Sequence, residues 1–217
     1  MASLRLVWDW NGTLLADVDA AVSALNRMLA KRGVKPTTRE FYRENFGFPV
    51  RPFYAALGVD LAVCDWDEIC DDFHAFIAEE PSALRPDAIA AMDVARSLGF
   101  RQCVLSALRE DLLLRDMAHL GAASYMDCIA GVDNLDGASK LDRGRALVAT
   151  LEAMPGEPSA RVFVGDTLHD AEVAAALGGR CILVDGGHQT AARLAKAGVP
   201  VAENLLAAVE IARSFAA

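Results

Sequence analysis

Short apolar runs alternate with helical segments along most of the chain, and this alternation constrains the fold more than any other feature of the sequence. Five runs have the length and composition of buried strands: residues 4–8, 101–105, 126–130, 161–164 and 181–184. Segments with helical periodicity precede each of the last four runs, at residues 87–98, 110–120, 141–154 and 171–177. Because neighbouring parallel strands need a crossover connection, usually a helix, the alternation predicts an α/β fold built on a parallel sheet.

The segment from about residue 17 to residue 84 breaks this alternation, because it contains helical patterns and no convincing strand. Its first helix is the clearest, with an apolar face that begins at Val18, ends at Leu29 and is followed by Gly33. Further helical patterns cover residues 38–45, 52–57 and 65–79. We therefore expect a core formed by residues 1–15 and 85–217, and a small helical cap domain, residues 16–84, inserted after the first strand.

Composition and charge restrict the class of protein. A chain of 217 residues that is 53% hydrophobic can bury a substantial core. Its formal charge is −9, from 21 basic and 30 acidic side chains, which gives no general electrostatic reason to bind nucleic acid or an anionic membrane. The five cysteines lack paired metal-ligand spacing, and the N-terminal apolar run is too brief for a signal peptide. We expect a cytoplasmic monomer or homodimer without nucleic-acid or membrane partners.

Polar side chains follow the predicted strands at the edge where the strands end. Asp9 and Ser106 come directly after the predicted strands 4–8 and 101–105. Asp166 comes two residues after the end of the strand 161–164, and Lys140 lies beyond the strand 126–130. Asp170 comes four residues after Asp166, at the start of a predicted helix. Because open parallel sheets bind ligands at the carboxyl ends of their strands, we expect these side chains to share one site.

These residue types point to phosphate chemistry with a metal ion. The carboxylates of Asp9, Asp166 and Asp170 would be costly to crowd together unless a cation or a proton neutralised them. Mg²⁺ is a hard cation that prefers a few protein oxygens and several waters, so we expect it as the cofactor. Lys140 would supply the compact positive charge that a phosphate and an ionised Asp9 require. Ser106 would donate a hydrogen bond to a phosphate oxygen.

In the order and spacing of its motifs the chain resembles the haloacid dehalogenase-like hydrolase superfamily, in the phosphoglycolate phosphatase-like branch with a helical cap. The four motifs are Asp9-Trp10-Asn11-Gly12-Thr13, Ser106, Lys140, and Gly165-Asp166 with Asp170. The resemblance implies a Rossmann-like core with strand order 3-2-1-4-5. It also implies a phosphatase whose substrate is a small phosphorylated metabolite.

The resemblance implies a role for each motif. Asp9 would be the nucleophile that attacks phosphorus and forms an aspartyl-phosphate, which water then hydrolyses. Asp9, Asp166 and the backbone carbonyl of Asn11 would hold Mg²⁺, with Asp170 supporting the metal site. The phosphate would be bound by Gly12, Thr13, Ser106, Ala107 and Lys140. In the cap, Arg51 could meet an anionic part of the substrate.

Position 11 departs from the family pattern. The family's phosphatases have an aspartate there that protonates the leaving oxygen, and this chain has Asn11, which cannot exchange that proton. Positioned proton transfer contributes about 10² to 10⁴-fold to a rate. We therefore expect a preference for leaving groups that need little protonation, such as those of aryl and acyl phosphates. His169 and His188 fall near the same sheet edge and are candidates for a replacement acid.

Two other functions remain open from the sequence. An enzyme resembling phosphonoacetaldehyde hydrolase would also lack the second aspartate, but it would need a cap lysine to form a Schiff base, and the cap offers Lys31 and Lys35. A catalytically impaired protein that binds a phosphorylated ligand would explain Asn11 but not the presence of Asp9 beside a metal site. Dehalogenation is disfavoured by the two acidic residues of the fourth motif.

Overall fold

A parallel sheet forms the centre of the fold. The computed structural model describes residues 4–133, 140–153 and 160–215, and within these ranges the sheet has six strands in the order β3-β2-β1-β4-β5-β6. The strands are β1 Leu4–Trp8, β2 Arg101–Arg109, β3 Cys128–Val132, β4 Ala160–Gly165, β5 Arg180–Val184 and β6 Val201–Ala202. All neighbouring strands run parallel. Their carboxyl ends therefore meet along one edge of the sheet.

The predicted α/β class with a parallel sheet is confirmed, but the predicted strand order 3-2-1-4-5 is incomplete. A sixth strand, β6, pairs with Leu183 and Val184 of β5 at the edge of the sheet. It has two residues, too few to form a recognisable apolar run. β2 extends beyond the predicted range 101–105, because its pairing with β3 shifts register between Leu105 and Arg109. An irregular pairing of this kind leaves no regular pattern in the sequence.

Four helices follow directly after β1: α1 Val18–Lys31, α2 Arg39–Asn45, α3 Arg51–Ala56 and α4 Trp66–Ile77. These four, called the cap helices below, bury an apolar cluster of their own. The chain leaves and re-enters the core at one point. There the Ala16 N–H donates to the Ala83 carbonyl at 2.8 Å, and the Arg85 N–H donates to the Leu14 carbonyl at 2.9 Å. The division into a core and a cap domain at residues 16 and 84 stays a prediction.

The remaining helices cover the two faces of the sheet. They are α5 Ala88–Ser97, α6 Glu110–His119, α7 Lys140–Ala153, α8 Leu168–Ala176, α9 Ala191–Leu194 and α10 Leu205–Ser214. One apolar cluster joins α5, α6 and α10 to Leu6 and Trp8 of β1, and another joins α7, α8 and α9 to Val7. Burial on both faces explains why four of the five residues of β1 are apolar, and the buried exception, Arg5, donates to the Leu151 carbonyl. Residue 154, the predicted end of α7, lies outside the described residues. In the described parts, no helix combines the length and apolar character needed to cross a lipid bilayer.

The central position of β1 gives a first prediction. Leu6 has no exposed surface, so Leu6→Ala should leave a cavity and lower the free energy of unfolding by about 2–5 kcal/mol. The matched control is Leu114→Ala on α6, because 46% of Leu114 is exposed; its effect should stay within about 0.5 kcal/mol. Urea unfolding followed by circular dichroism measures both variants. Equal losses would contradict the burial of β1.

Candidate active site

The site begins at the turn that follows β1. The Asp9 N–H donates to the Val164 carbonyl at 2.8 Å, which holds Asp9 beside the end of β4. The chain then turns sharply, since the carbonyl of Trp10 accepts the N–H groups of Thr13 and Leu14 at 3.2 and 3.0 Å. Asp9 thus lies at the carboxyl edge of the sheet, where the sequence predicts it.

Glycine is required at position 12 for two reasons. Its φ angle is +74°, in the region that side chains other than glycine rarely adopt. A Cβ atom on Gly12 would also press on the Asp166 carboxylate and lie 2.5 Å from the ring of His188. The small residue therefore allows the loops after β4 and β5 to approach the turn after β1.

A buried lysine links two of the carboxylates. Lys140 Nζ donates to Asp9 Oδ1 and to Asp170 Oδ1, each at 2.6 Å. All three residues are less than one-tenth exposed. Lys140 is the first residue of α7, at the positive end of the helix dipole, so these two carboxylates compensate an otherwise unfavourable position for a cation. Asp170 Oδ2 in turn accepts the N–H and the hydroxyl of Thr167 at 3.0 and 2.7 Å.

Asp166 follows β4 and belongs to the same group. Its Oδ1 accepts the Thr13 hydroxyl at 3.1 Å, and its Oδ2 accepts the backbone N–H of His188. One oxygen each from Asp9, Asp166 and Asp170 lie within 4.8 Å of one another, and all three residues are buried. The structure therefore brings together the three carboxylates that the sequence singles out.

The charges of this group favour a bound cation. With its three carboxylates ionised, the group carries one positive and three negative charges, all buried. Burial raises the pKa of Asp9 to about 7, against the opposing effect of Lys140, and burial also raises the pKa of Asp166 to about 6. Burial acts the same way on Asp170, but the Lys140 ammonium outweighs it and lowers the pKa of Asp170. Buried carboxylates whose pKa is raised in this way are stabilised by a proton or a cation. Their oxygens suit a hard ion such as Mg²⁺.

A second buried ion pair lies beside Asn11. Asp17 accepts hydrogen bonds from Asn11 Nδ2 at 2.8 Å and from the Gly12 N–H at 2.7 Å. His188 Nε2 lies 3.3 Å from the same carboxylate, and His188 Nδ1 lies 2.9 Å from the Tyr42 hydroxyl. A carboxylate therefore holds the Asn11 amide. An aspartate at position 11 could not make this contact unless one of the two carboxyl groups were protonated.

Asp17 and His188 are charged partners. Burial alone would lower the pKa of His188, but the Asp17 carboxylate outweighs it and raises that pKa to about 9. Burial alone would raise the pKa of Asp17, but His188 and the hydrogen bonds from Asn11 and Gly12 lower it. The sequence does not single out Asp17, because an aspartate just before a helix is typical of an N-cap. In the structure its side chain makes no cap hydrogen bond.

A cavity of about 330 Å³ lies between the sheet edge and the cap helices. On the core side it is lined by Asp9, Asn11, Ser106, Ala107, Lys140, Asp166, Asp170 and His188. The Ser106 hydroxyl oxygen accepts the Leu108 N–H at 3.0 Å, so its own hydrogen remains available as a donor. Most of the residues that the sequence assigns to the site therefore share this cavity.

Two residues of the first motif have other contacts. Gly12 and Thr13 are not among the described residues that line the cavity. The Gly12 N–H donates to Asp17, and the Thr13 hydroxyl donates to Asp166. Both residues therefore support the site from behind, and their direct contact with phosphate stays a prediction.

Arg51 and His169 also lie away from the described lining of the cavity. The Arg51 guanidinium lies over the Trp66 ring, 4.4 Å from its centroid, on an exposed part of the cap helices. His169 Nδ1 lies 3.3 Å from the carboxylate of Glu172 on α8. Of the two histidines considered as acids, His188 is the one that faces the cavity.

The fold and the site define an α/β protein with a helical insertion after the first strand and a lysine-linked carboxylate group at the sheet edge. A family model described as haloacid dehalogenase-like hydrolase matches residues 6–184. The chain belongs to this family, which confirms the resemblance read from its motifs.

Individual relatives agree with this assignment. The phosphoglycolate phosphatase of Caulobacter vibrioides is 27% identical over 191 residues, which cover 84% of this chain and 79% of the relative. Among solved structures, a predicted phosphatase from Clostridium acetobutylicum has a TM-score of 0.77 at 18% identity, covering 99% of this chain and 98% of its own. Protein tyrosine kinase A of Mycobacterium tuberculosis has a TM-score of 0.80 at 23% identity, with 97% and 98% covered. At these identities the solved structures show the fold alone.

The ion pair beside Asn11 gives a second prediction. Asp17→Ala removes the acceptor of two hydrogen bonds and leaves His188 buried without its partner. Because breaking a buried pair costs about 3–5 kcal/mol, the free energy of unfolding near neutral pH should fall by that amount. Asp19→Ala is the matched control, since the Asp19 side chain is 83% exposed where it pairs with Arg39; its loss should be below about 1 kcal/mol. Urea unfolding compares the two, and similar losses would rule out a strong buried pair.

Proposed function

We propose that the chain is a Mg²⁺-dependent phosphatase that hydrolyses a phosphate monoester of a small metabolite through an aspartyl-phosphate on Asp9. The observation that carries this proposal is the Lys140 ammonium bound to both Asp9 and Asp170, with an oxygen of Asp166 within 4.8 Å. Burying three carboxylates together is costly for a purely structural role. The relative from Caulobacter vibrioides bears the name phosphoglycolate phosphatase, which supports the same reaction class.

Asp9 supplies the nucleophile in this proposal. Its Oδ1 accepts the hydrogen bond from Lys140, so the attack on phosphorus falls to Oδ2. The attack forms a bond between Asp9 and phosphorus and breaks the bond to the ester oxygen, which leaves with the electron pair. Lys140 stabilises the negative charge, and Ser106 donates to a phosphoryl oxygen. Water then attacks the phosphorus and the bond between Asp9 and phosphorus breaks, which restores the Asp9 carboxylate. The protons of the water leave with the inorganic phosphate, and the departed ester oxygen takes its proton from solvent.

The same carboxylates would hold the metal ion. Asp9, Asp166 and the backbone carbonyl of Asn11 are the proposed Mg²⁺ ligands, with Asp170 beside them. The ion would offset the excess negative charge of the site and of the phosphoryl oxygens. The carbonyl of residue 11 serves equally well from asparagine or aspartate, so the substitution leaves this ligand intact.

Asn11 sets a requirement on the leaving group. Its amide cannot protonate an ester oxygen, and its Nδ2 is bound to Asp17. Both ring nitrogens of His188 also have partners, the carboxylate of Asp17 and the hydroxyl of Tyr42. We infer that the ester oxygen leaves with little protonation, which favours aryl and acyl phosphates over alkyl phosphates.

The two alternative functions have less support. A Schiff-base mechanism needs a lysine in the cavity, whereas Lys31 is 60% exposed and pairs with Asp72 at 2.7 Å, and Lys35 is exposed. Neither lines the cavity among the described residues. A phosphate-binding protein without turnover is supported by Asn11 alone. Phosphate hydrolysis uses the whole group of carboxylates and is therefore the better proposal.

A third prediction tests the nucleophile and the metal ion. Release of phosphate from 4-nitrophenyl phosphate should require Mg²⁺, stop with excess EDTA and resume when Mg²⁺ is restored. Asp9→Asn removes the nucleophile and should lower kcat by about 10⁴-fold or more. The matched control is Asp127→Asn, at the opposite edge of the sheet where Asp127 pairs with Arg101, and it should keep its activity. Absence of release by the wild type would favour the binding protein instead.

A fourth prediction tests the role of Asn11. Asn11→Asp alone would set two carboxylates against each other, because Asn11 Nδ2 lies 2.8 Å from Asp17. The double variant Asn11→Asp/Asp17→Asn exchanges the two side chains and preserves their hydrogen bond. Its kcat for ethyl phosphate should rise by about 10²-fold, because it regains an acid, while that for 4-nitrophenyl phosphate should change little. The single variant Asp17→Asn is the control, and its kcat for ethyl phosphate should not rise. An equal gain on both esters, or none on either, would refute the leaving-group requirement.

A further inference from the structure

The cap helices contribute an apolar and aromatic wall to the cavity. This cap wall consists of Phe46, Phe53, Tyr54, Trp66, Phe73 and Ile77. Its rings touch in sequence: the centroids of Phe46 and Phe53 lie 5.6 Å apart, those of Phe53 and Tyr54 6.0 Å, and those of Tyr54 and Trp66 5.7 Å. The catalytic carboxylates lie on the opposite, core side of the same cavity. A ligand bound by its phosphate at Asp9 therefore faces this wall with its other end.

The cations around the cavity belong to the core and are already paired. Among the described lining residues, the arginine and lysine side chains are Arg109, Arg115 and Lys140. Arg109 pairs with Asp111 at 2.6 Å, and Arg115 pairs with Asp116 at 3.0 Å. Lys140 holds the catalytic carboxylates. None of these three comes from the cap helices. Arg51 of the cap lies over the Trp66 ring but is not among the described residues that line the cavity, so the described lining contains no lysine or arginine from the cap.

The polar side chains that the cap adds to the cavity include a carboxylate, and among the described residues they include no lysine or arginine. Glu80 lines the cavity and accepts a hydrogen bond from the Ser23 hydroxyl at 2.6 Å. His74 Nδ1 lies 2.7 Å from the Cys70 carbonyl and donates to it. A carboxylate at this end of a substrate, as in phosphoglycolate, would lose its water and meet another carboxylate instead of a cation.

The volume of the cavity suits a ring. An apolar cavity of about 150 Å³ holds benzene, and this cavity has about 330 Å³. A phenyl-sized group and a phosphate can therefore be accommodated together. Apolar walls with a few polar groups at one end are typical of sites that bury most of a small ligand.

We propose that the substrate is a phosphate monoester whose leaving group is uncharged and carries an apolar aromatic ring, which binds against the cap wall. This assignment rests on the proposed function, because it takes the phosphate to lie at Asp9. Each buried CH₂ equivalent strengthens binding by about fourfold, and contacts between aromatic rings add to this. Phosphoglycolate gains nothing from such a wall.

Two alkyl esters separate the effect of the wall from that of Asn11. Benzyl phosphate and ethyl phosphate have leaving groups of similar basicity, so a missing acid affects both alike and their difference reports binding of the ring. With Mg²⁺ present, kcat/KM for benzyl phosphate should exceed that for ethyl phosphate and for phosphoglycolate by at least about tenfold, mainly through a lower KM. Equal or faster turnover of phosphoglycolate would overturn the assignment.

A binding measurement distinguishes failure of this assignment from failure of the phosphatase proposal. Benzylphosphonate and ethylphosphonate have a carbon–phosphorus bond in place of the ester bond, so a phosphatase does not hydrolyse them. Calorimetry therefore gives their dissociation constants without turnover. Benzylphosphonate should bind at least about tenfold more tightly. If benzylphosphonate binds more tightly but no ester releases phosphate, the proposal of an aromatic ligand stands and the proposal of phosphatase activity is refuted. Phosphate release without a benzyl preference in either measurement would refute the aromatic ligand alone.

Variants of Phe73 test the wall directly, because this residue is half-buried in α4 and lines the cavity. Phe73→Arg introduces a cation and should lower the benzyl-to-phosphoglycolate ratio of kcat/KM by at least about tenfold. Phe41→Arg is the matched control, since Phe41 is 42% exposed on α2, and it should leave the ratio unchanged. Phe73→Ala removes the ring without adding charge and should reduce the benzyl-to-ethyl ratio severalfold. Unchanged ratios in folded Phe73 variants would overturn the proposal.

Discussion

The hydrogen bonds from the Lys140 ammonium to Asp9 and Asp170 are the interaction on which the site depends. They connect the end of β1 to the starts of α7 and α8, three segments that the parallel sheet brings to one edge. Because all three groups are buried, loss of the ammonium would leave two carboxylates uncompensated, which is far more costly than the loss of a surface ion pair. The same lysine keeps the pKa of Asp170 low while burial raises that of Asp9. Lys140 acts on both carboxylates, and their pKa values differ because Asp170 also accepts hydrogen bonds from Thr167 while Asp9 faces the charges of Asp166 and Asp170.

Much of this arrangement could be predicted from the sequence, because it follows from patterns that are local. The apolar run of β1 ends at Trp8 and Asp9 follows it, so the placement of Asp9 at the sheet edge requires only that the strand be parallel to its neighbours. β6 could not be found in this way, since two residues carry no periodicity. α10 has apolar residues at helical spacing, Leu205, Ala208, Val209 and Ala212, and such a pattern is typical of a helix that packs against a core.

The contacts between distant segments could not be predicted. Asp17 reads as a helix cap, and its actual partners include His188, which comes from the loop after β5. Motif spacing also does not say which way a side chain faces. Thr13 belongs to the first motif, yet its hydroxyl donates to Asp166 behind the cavity. Arg51 has the right charge for an anionic substrate, but its guanidinium lies over Trp66. Residue type therefore predicted which side chains lie together at the sheet edge better than it predicted their individual contacts.

Two separate features of the cavity restrict the leaving group of the proposed reaction in the same direction. In the proposed mechanism Asn11, held by Asp17, supplies no proton and so favours an ester oxygen that can leave as an anion. The cap wall, with rings from Phe46 to Trp66, favours an uncharged aromatic group. An acyl phosphate meets the first requirement but gains little from the wall, and a benzyl ester meets only the second. An aryl phosphate meets both, because the ring that packs against the wall also delocalises the charge of the departing oxygen. The core side and the cap side of the cavity thus both favour aryl phosphates, although different residues are responsible on each side.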